Sequence, residues 1–213
     1  MAVHFPSANA TFIHVPKTGG TSFYEWIEAN AQPYDMQMIN VYATGCVDGA
    51  RKQCGELGTV FSFVRNPYSR LVSMYHYQWK EAERHLANNT GTPKDRIEFA
   101  RTAAVSRKGF DYWIECMYFC KTELFAIADA DPKRVTVSSW FNGTVPDIWI
   151  KTENLNVEFY KIQDLLLGGD RSAPLPWTNV SEHKPYRDYY NATTKRWVAE
   201  QFREDLELFE YQF

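Results

Sequence analysis

One segment constrains the fold of this chain more than any other: Phe12-Ile-His-Val-Pro-Lys-Thr-Gly-Gly-Thr-Ser22. A short apolar run stops at Pro16, Lys17 follows, and two glycines are framed by Thr18, Thr21 and Ser22. An amphipathic stretch carrying Phe23, Trp26 and Ile27 begins at once. The pattern reads as a buried strand, a tight loop and the start of a helix. Such a turn gathers backbone N–H groups and the positive end of a helix dipole at one point, which suits an anion. Gly19 and Gly20 let the backbone approach a ligand closely. Thr18, Thr21 and Ser22 offer hydroxyls, and Lys17 a full positive charge. The residue order is not that of the common nucleotide loop, in which the lysine follows the glycines, and G-x-G-x-x-G is absent. An ordinary tight turn with Lys17 in solvent is the plain alternative.

A second segment has the same form. Val60-Phe-Ser-Phe-Val-Arg-Asn-Pro-Tyr-Ser-Arg-Leu-Val-Ser-Met-Tyr75 is an apolar strand ending in a cation. Asn66-Pro67 marks a turn, and Tyr68, Leu71, Val72 and Tyr75 then fall at helical spacing. Arg65 leaves the strand end and Ser73 lies eight positions on. A forked guanidinium and a hydroxyl suit one phosphate group; capping of a neighbouring helix is the plain alternative for Arg65.

Further along, 134–138 and 147–151 read as strands beside 11–15 and 60–64. Helices are expected over 21–30, 68–86, 94–107, 110–122 and 187–209, with another after Leu155 carrying Phe159, Ile162, Leu165 and Leu166 on one face and stopping at Gly168-Gly169. Strands alternating with helices predict an α/β fold: a P-loop-like three-layer sandwich, a central parallel sheet with helices on both faces. Ligands then belong at the carboxyl ends of the strands, where both motifs fall. At 213 residues with 45% hydrophobic content, one domain over 1–213 is expected.

Together, PKTGGTS and VRNPYSRLVSMY resemble the sulfotransferase superfamily, in particular its carbohydrate sulfotransferase branch. The stretch from Tyr189-Tyr190 through Asp205-Leu-Glu-Leu-Phe209 is similar to that branch's last helix. The resemblance implies a sulfotransferase that moves a sulfuryl group from 3′-phosphoadenosine 5′-phosphosulfate (PAPS) to a hydroxyl of a carbohydrate, releasing 3′-phosphoadenosine 5′-phosphate (PAP), without a metal. It implies that Pro16, Lys17, Thr18, Gly19, Gly20, Thr21 and Ser22 hold the 5′-phosphosulfate, and that Arg65 and Ser73 hold the 3′-phosphate. It also implies a basic loop closing over the nucleotide just before the last helix, here Asn179 to Tyr186, with Lys184 and His183 as its cations and Tyr186 stacking on adenine. A P-loop-type kinase or phosphotransferase is disfavoured by the position of Lys17. An inactive PAP-binding module remains open, because the general base is the unassigned part.

Sulfuryl transfer resembles phosphoryl transfer, in which positioning and charge stabilisation do most of the work. Lys17 and the loop N–H groups would meet negative charge growing on the leaving phosphate. The acceptor hydroxyl needs a base. Of the five histidines, His4 reads as part of a loose N-terminus and His14 as a packed strand residue, while His76 follows the second motif. No histidine lies between Phe23 and Asn66, where many related enzymes have one, so His76, Asp48 and Glu25 stand together as candidates.

The formal charge of −3 argues against a nucleic-acid surface. Arg51-Lys52, Arg101, Arg107-Lys108 and Lys133-Arg134 are the basic pairs available to an anionic glycan, or ordinary solvated charges. Cys116 and Cys120 share a helix face, a poor geometry for a disulfide. Cys46 and Cys54 flank a polar stretch at a separation that permits pairing; buried free thiols are the ordinary alternative. No signal peptide or spanning segment is evident, which predicts a cytoplasmic protein. Five N-x-[ST] sequons, at Asn9, Asn88, Asn142, Asn179 and Asn191, favour the other reading, a lumenal Golgi domain without its anchor.

Overall fold

The structure, a computed structural model, describes residues 2–41, 46–118, 136–142, 145–176 and 183–213. Its strands and helices run β1 (Ala2–Phe5), β2 (Ala10–Ile13), α1 (Gly20–Asn30), β3 (Ile39–Val41), α2 (Val47–Cys54), β4 (Thr59–Val64), α3 (Pro67–Ala87), α4 (Pro93–Ser106), α5 (Phe110–Tyr118), β5 (Ile148–Lys151), α6 (Leu155–Glu158), α7 (Tyr160–Leu167), α8 (Ala192–Gln201) and α9 (Arg203–Leu208). The chain divides into two compact units, one of Met1–Arg65 with Thr136–Val180, the other of Asn66–Val135 with Ser181–Phe213.

The first unit is built on a five-stranded sheet in the order β3-β1-β2-β4-β5. β2, β4 and β5 are parallel, with Phe12 opposite Phe61 and Phe63 opposite Ile150. β1 runs antiparallel to both β2 and β3, so the α/β sheet is mixed rather than wholly parallel. Side chains alternate across a strand, which sends Phe5, Phe12, Phe61, Phe63 and Ile150 to one face. There they meet Phe23 and Trp26 of α1, then Leu155, Phe159 and Ile162 from α6 and α7. Phe12 lies edge-on to Phe23 with ring centres 4.5 Å apart, an arrangement that adds about 0.5–1.5 kcal/mol beyond area burial. The opposite face is also buried, with Thr11, Ile13, Ser62 and Val64 closed to solvent; α2 packs beside β1 and β3.

Four expectations need correction. His4 is not in a loose N-terminus: it lies in β1, buried, with Nδ1 2.9 Å from the Thr11 hydroxyl. Residues 136–138 are not strand; Ser138–Phe141 is a 3-10 turn whose Trp140 and Phe141 are buried, and 134–135 fall outside the described residues. The stretch between Cys46 and Cys54 is helix α2, not a polar loop, and both thiols are free. Eight residues of α-helix separate their α-carbons by about 12 Å, too far for a disulfide. Finally, 187–209 is not one helix. A 3-10 turn (Tyr186–Tyr189) precedes α8, which ends at Gln201, and α9 starts at Arg203. Asn191 starts α8 by accepting from the Thr193 and Thr194 N–H groups. Cys120 and Lys133-Arg134 lie outside the described residues, as does Asn179.

The second unit is helical. Its core gathers Tyr68, Leu71, Val72 and Tyr75 of α3, Phe110, Trp113 and Ile114 of α5, and Val198 and Phe202 near the end of α8. Asn66 starts α3, its side-chain oxygen accepting from the Tyr68 N–H at 3.0 Å. The same amide donates to the Gln212 carbonyl at 2.7 Å, which ties the C-terminus to the start of α3.

Candidate functional site

Parallel pairing puts the carboxyl ends of β2, β4 and β5 on one edge of the first unit. Residues 14–19 follow β2, Arg65 follows β4 and Thr152 follows β5. These segments are stitched together by backbone carbonyls. The Thr18 hydroxyl donates to the Val15 carbonyl at 2.8 Å. The Thr152 hydroxyl lies 2.7 Å from the Thr18 carbonyl and 3.0 Å from the Val64 carbonyl. The Ser62 hydroxyl donates to the Ile13 carbonyl at 2.7 Å, and the Arg65 guanidinium to the Lys17 carbonyl at 3.3 Å. The loop is therefore held by its own Thr18 and by Thr152 and Arg65 from the neighbouring strand ends.

The backbone of the loop is unusual where it matters. Lys17 has φ 67° and Gly19 φ 100°, both in the left-handed region. For Gly19 this needs the absence of a Cβ, which would also lie 2.8 Å from Leu155 Cδ1. Gly19 is the N-cap of α1 and offers no side-chain cap. The first backbone bond of the helix is from the Phe23 N–H to the Gly19 carbonyl, at 3.4 Å. The N–H groups of Gly20, Thr21 and Ser22 precede it, at the positive end of an eleven-residue helix. This arrangement fits an anionic group: the opening N–H groups of a helix that has no side-chain cap, a lysine at the turn and no carboxylate in the first turn of the helix.

Among the loop residues, Thr18 is fully buried with its hydroxyl turned to Val15, so that hydroxyl shapes the loop. Ser22 is buried and Thr21 exposed; Pro16 and Lys17 are half-buried. Glu25 is half-buried on α1, and Asp48 is exposed in the first turn of α2. Sequence reasoning passed over two residues here. One is Thr152, flagged only by standing, like Arg65, just past a strand end. The other is His14. Its ring lies against Gly20, since a Cβ there would come within 2.2 Å of its Cδ2 and Nε2. Burial, helped by the nearby Lys17 ammonium, pushes the His14 pKa down to about 3.

In the second unit, Ser73 is buried on α3. Three residues on, His76 Nε2 lies 2.8 Å from the Tyr189 hydroxyl. The His76 ring also stacks on that of His183, 5.2 Å away and 6° from parallel. Because the Lys184 carbonyl can only accept, His183 Nδ1, 2.7 Å from it, carries the proton. Burial, with His183 alongside, lowers the pKa of His76. Lys184 is exposed. The Tyr186 ring meets Phe213 edge-on at 5.8 Å, and the Arg187 guanidinium sits 5.0 Å from its centre.

Among the described residues, no three His, Cys, Asp or Glu side chains gather as a metal cluster, and no helix is long and apolar enough to cross a membrane. No curated protein and no solved structure matches the chain. The model of the sulfotransferase family, however, matches residues 3–212, from the first strand through both motifs to the C-terminus. With a match of that extent, enclosing the Lys17 loop and the Arg65 strand end, the chain belongs to the sulfotransferase family.

Proposed function

We propose that this sulfotransferase takes its sulfuryl group from PAPS and passes it to a hydroxyl of a carbohydrate. The observation that carries the donor half is the loop at the carboxyl end of β2, where Gly19 leaves the start of α1 without a side-chain cap and Lys17 stands beside it. The N–H groups that open α1 and an ammonium suit the 5′-phosphosulfate, and Pro16 to Ser22 form that cradle. Arg65 and Ser73 hold the 3′-phosphate in this reading, with Lys184 and Tyr186 on the nucleotide. The two units act as one sulfotransferase domain, which the run of a single family model across both supports.

PAPS supplies a sulfuryl group attached to a phosphate that leaves as an anion. Lys17 and the α1 N–H groups neutralise charge growing on that phosphate and need no reorganisation to do so. The acceptor is positioned in line with the leaving oxygen. Its proton goes to His76, Asp48 or Glu25. Burial and the neighbouring His183 lower the pKa of His76, which keeps it neutral and able to accept a proton at pH 7.

A thermal-shift panel tests the donor. PAP raises the melting temperature and ATP with Mg²⁺ does not, since a ligand of the native state stabilises it; the opposite preference would turn the reading towards a phosphotransferase. Labelled PAPS with a panel of sugars then tests the acceptor, and labelling only of non-carbohydrate hydroxyls would remove the glycan.

A further inference from the structure

His14 is used by none of the above, and it differs from every other histidine in the chain. His4, His76, His85 and His183 each have a ring nitrogen within hydrogen-bond distance of a neighbour. Among the described residues, neither nitrogen of His14 has such a partner. Its ring is nonetheless firmly placed. Phe12 stacks on it at 6.1 Å, and Tyr24 of α1 meets it edge-on at 5.3 Å. Its Nε2 edge abuts Gly20, the first residue of α1, where an added Cβ would lie 2.2 Å away. The residue is half-buried, and its nitrogens are not among the buried side-chain atoms that lack a partner, so the ring edge stays open to an incoming ligand.

The imidazole is also held neutral, its pKa pushed to about 3 by burial and then by neighbouring positive charge, Lys17 included. A neutral ring keeps one N–H to donate, and an imidazole so weakly basic is a poor general base. Neutral imidazoles lowered by a helix N-terminus are known to serve as hydrogen-bond donors to developing oxyanions.

We propose that His14 is a direct ligand of the sulfuryl donor, giving its ring N–H to an oxygen of the 5′-phosphate that becomes the leaving group, beside Lys17 and the α1 N–H groups. No proton is transferred; the hydrogen bond strengthens as charge accumulates on that phosphate. The inference rests on the PAPS reading above.

The test has a binding arm and a kinetic arm. In the first, wild-type protein labelled with ¹⁵N-histidine is titrated with PAP, each ring signal being assigned through its backbone. The His14 ring reads as neutral between pH 5 and 8 and its nitrogen signals move on saturation, while those of His85 stay in place. In the second, His14→Phe keeps the packing but loses the N–H, and kcat falls on the order of a hundredfold. His14→Asn, which restores a donor, recovers at least tenfold of that loss. Unmoved His14 signals at PAP saturation overturn the inference, as does full activity in His14→Phe or an asparagine variant no better than the phenylalanine one. If His14→Phe does not fold, the wild-type titration decides. Should PAP fail to raise the melting temperature of the wild-type protein, the donor reading and this inference fall together; a normal PAP shift with silent His14 signals overturns the inference alone.

Discussion

The Arg65 guanidinium donates to the backbone carbonyl of Lys17, 48 residues earlier, at 3.3 Å. The cation that ends β4 thereby braces the loop that follows β2, and the two cationic motifs of the sequence become one structure. Arg65→Ala removes the brace and the charge together. Hydrogen bonds to charged groups contribute about 1.5–3 kcal/mol, so the dissociation constant for PAP rises by about tenfold to a hundredfold. Calorimetric titration measures it. Arg65→Lys keeps the charge without the fork and recovers only part of the affinity; unchanged PAP affinity in Arg65→Ala would remove this residue from the donor site.

Lys17 stands at a left-handed turn with φ 67°, so its backbone and its ammonium can be separated by mutation. Lys17→Gly relaxes the turn and leaves stability equal or slightly raised. Its kcat still falls by about a hundredfold or more, the typical cost of losing one donor to a developing oxyanion. Lys17→Ala loses a similar amount of activity. A glycine variant with near-normal turnover would show that the loop works through its backbone alone.

Gly20 and His14 are a matched pair, since a Cβ at Gly20 meets the imidazole at 2.2 Å. Gly20→Ala is expected to cost about 1–3 kcal/mol, as overpacking of a closed site does. Adding His14→Ala opens the space, so the double variant is more stable than the sum of the two single changes. Urea unfolding midpoints of the four proteins give the coupling directly. Additive effects would mean that the ring swings aside freely.

Acid should destabilise the protein through His14. Its folded pKa lies near 3, well below the ordinary value of 6.5. Between these values the unfolded chain binds a proton that the native state does not, so stability falls as pH falls. The contribution is intact above pH 6.5 and is lost as pH drops towards 3, with a slope of up to about 1.4 kcal/mol per pH unit. His76, whose pKa is lowered by burial and His183, acts in the same direction. The measurement is therefore the difference between wild type and His14→Asn in urea midpoint at pH 7 and pH 5. An equal drop in both proteins would show that His14 titrates normally.

Much of the first unit, and the start of the second, was legible in the chain itself. β2, α1, β4 and the start of α3 fall within two residues of expectation, because an apolar run, a glycine pair and an Asn-Pro turn are local signals that need no partner. β1 and β3 were not legible. Each is three or four residues long and stands only by pairing, β1 between β2 and β3. A strand that short carries too little periodicity to announce itself. The break between α8 and α9 was hidden for the opposite reason: the apolar spacing of Trp197, Val198, Phe202, Leu206 and Phe209 continues across it, while Phe202 itself leaves the helical region with φ −108° and ψ 23°.

The sequence alone determined the chemistry on offer: a lysine and glycines after one apolar run, an arginine after another, in an order that suits a doubly anionic nucleotide. Tertiary structure decided which groups remain for a ligand. Parallel pairing brought three strand ends to one edge and recruited Thr152 to hold the loop, while the folded loop itself turned the Thr18 hydroxyl inward to Val15 and set the His14 ring against Gly20. No spacing in the chain encodes the Thr152 contact, because it joins residues whose closeness exists only once the strands are aligned and water has left the space between them.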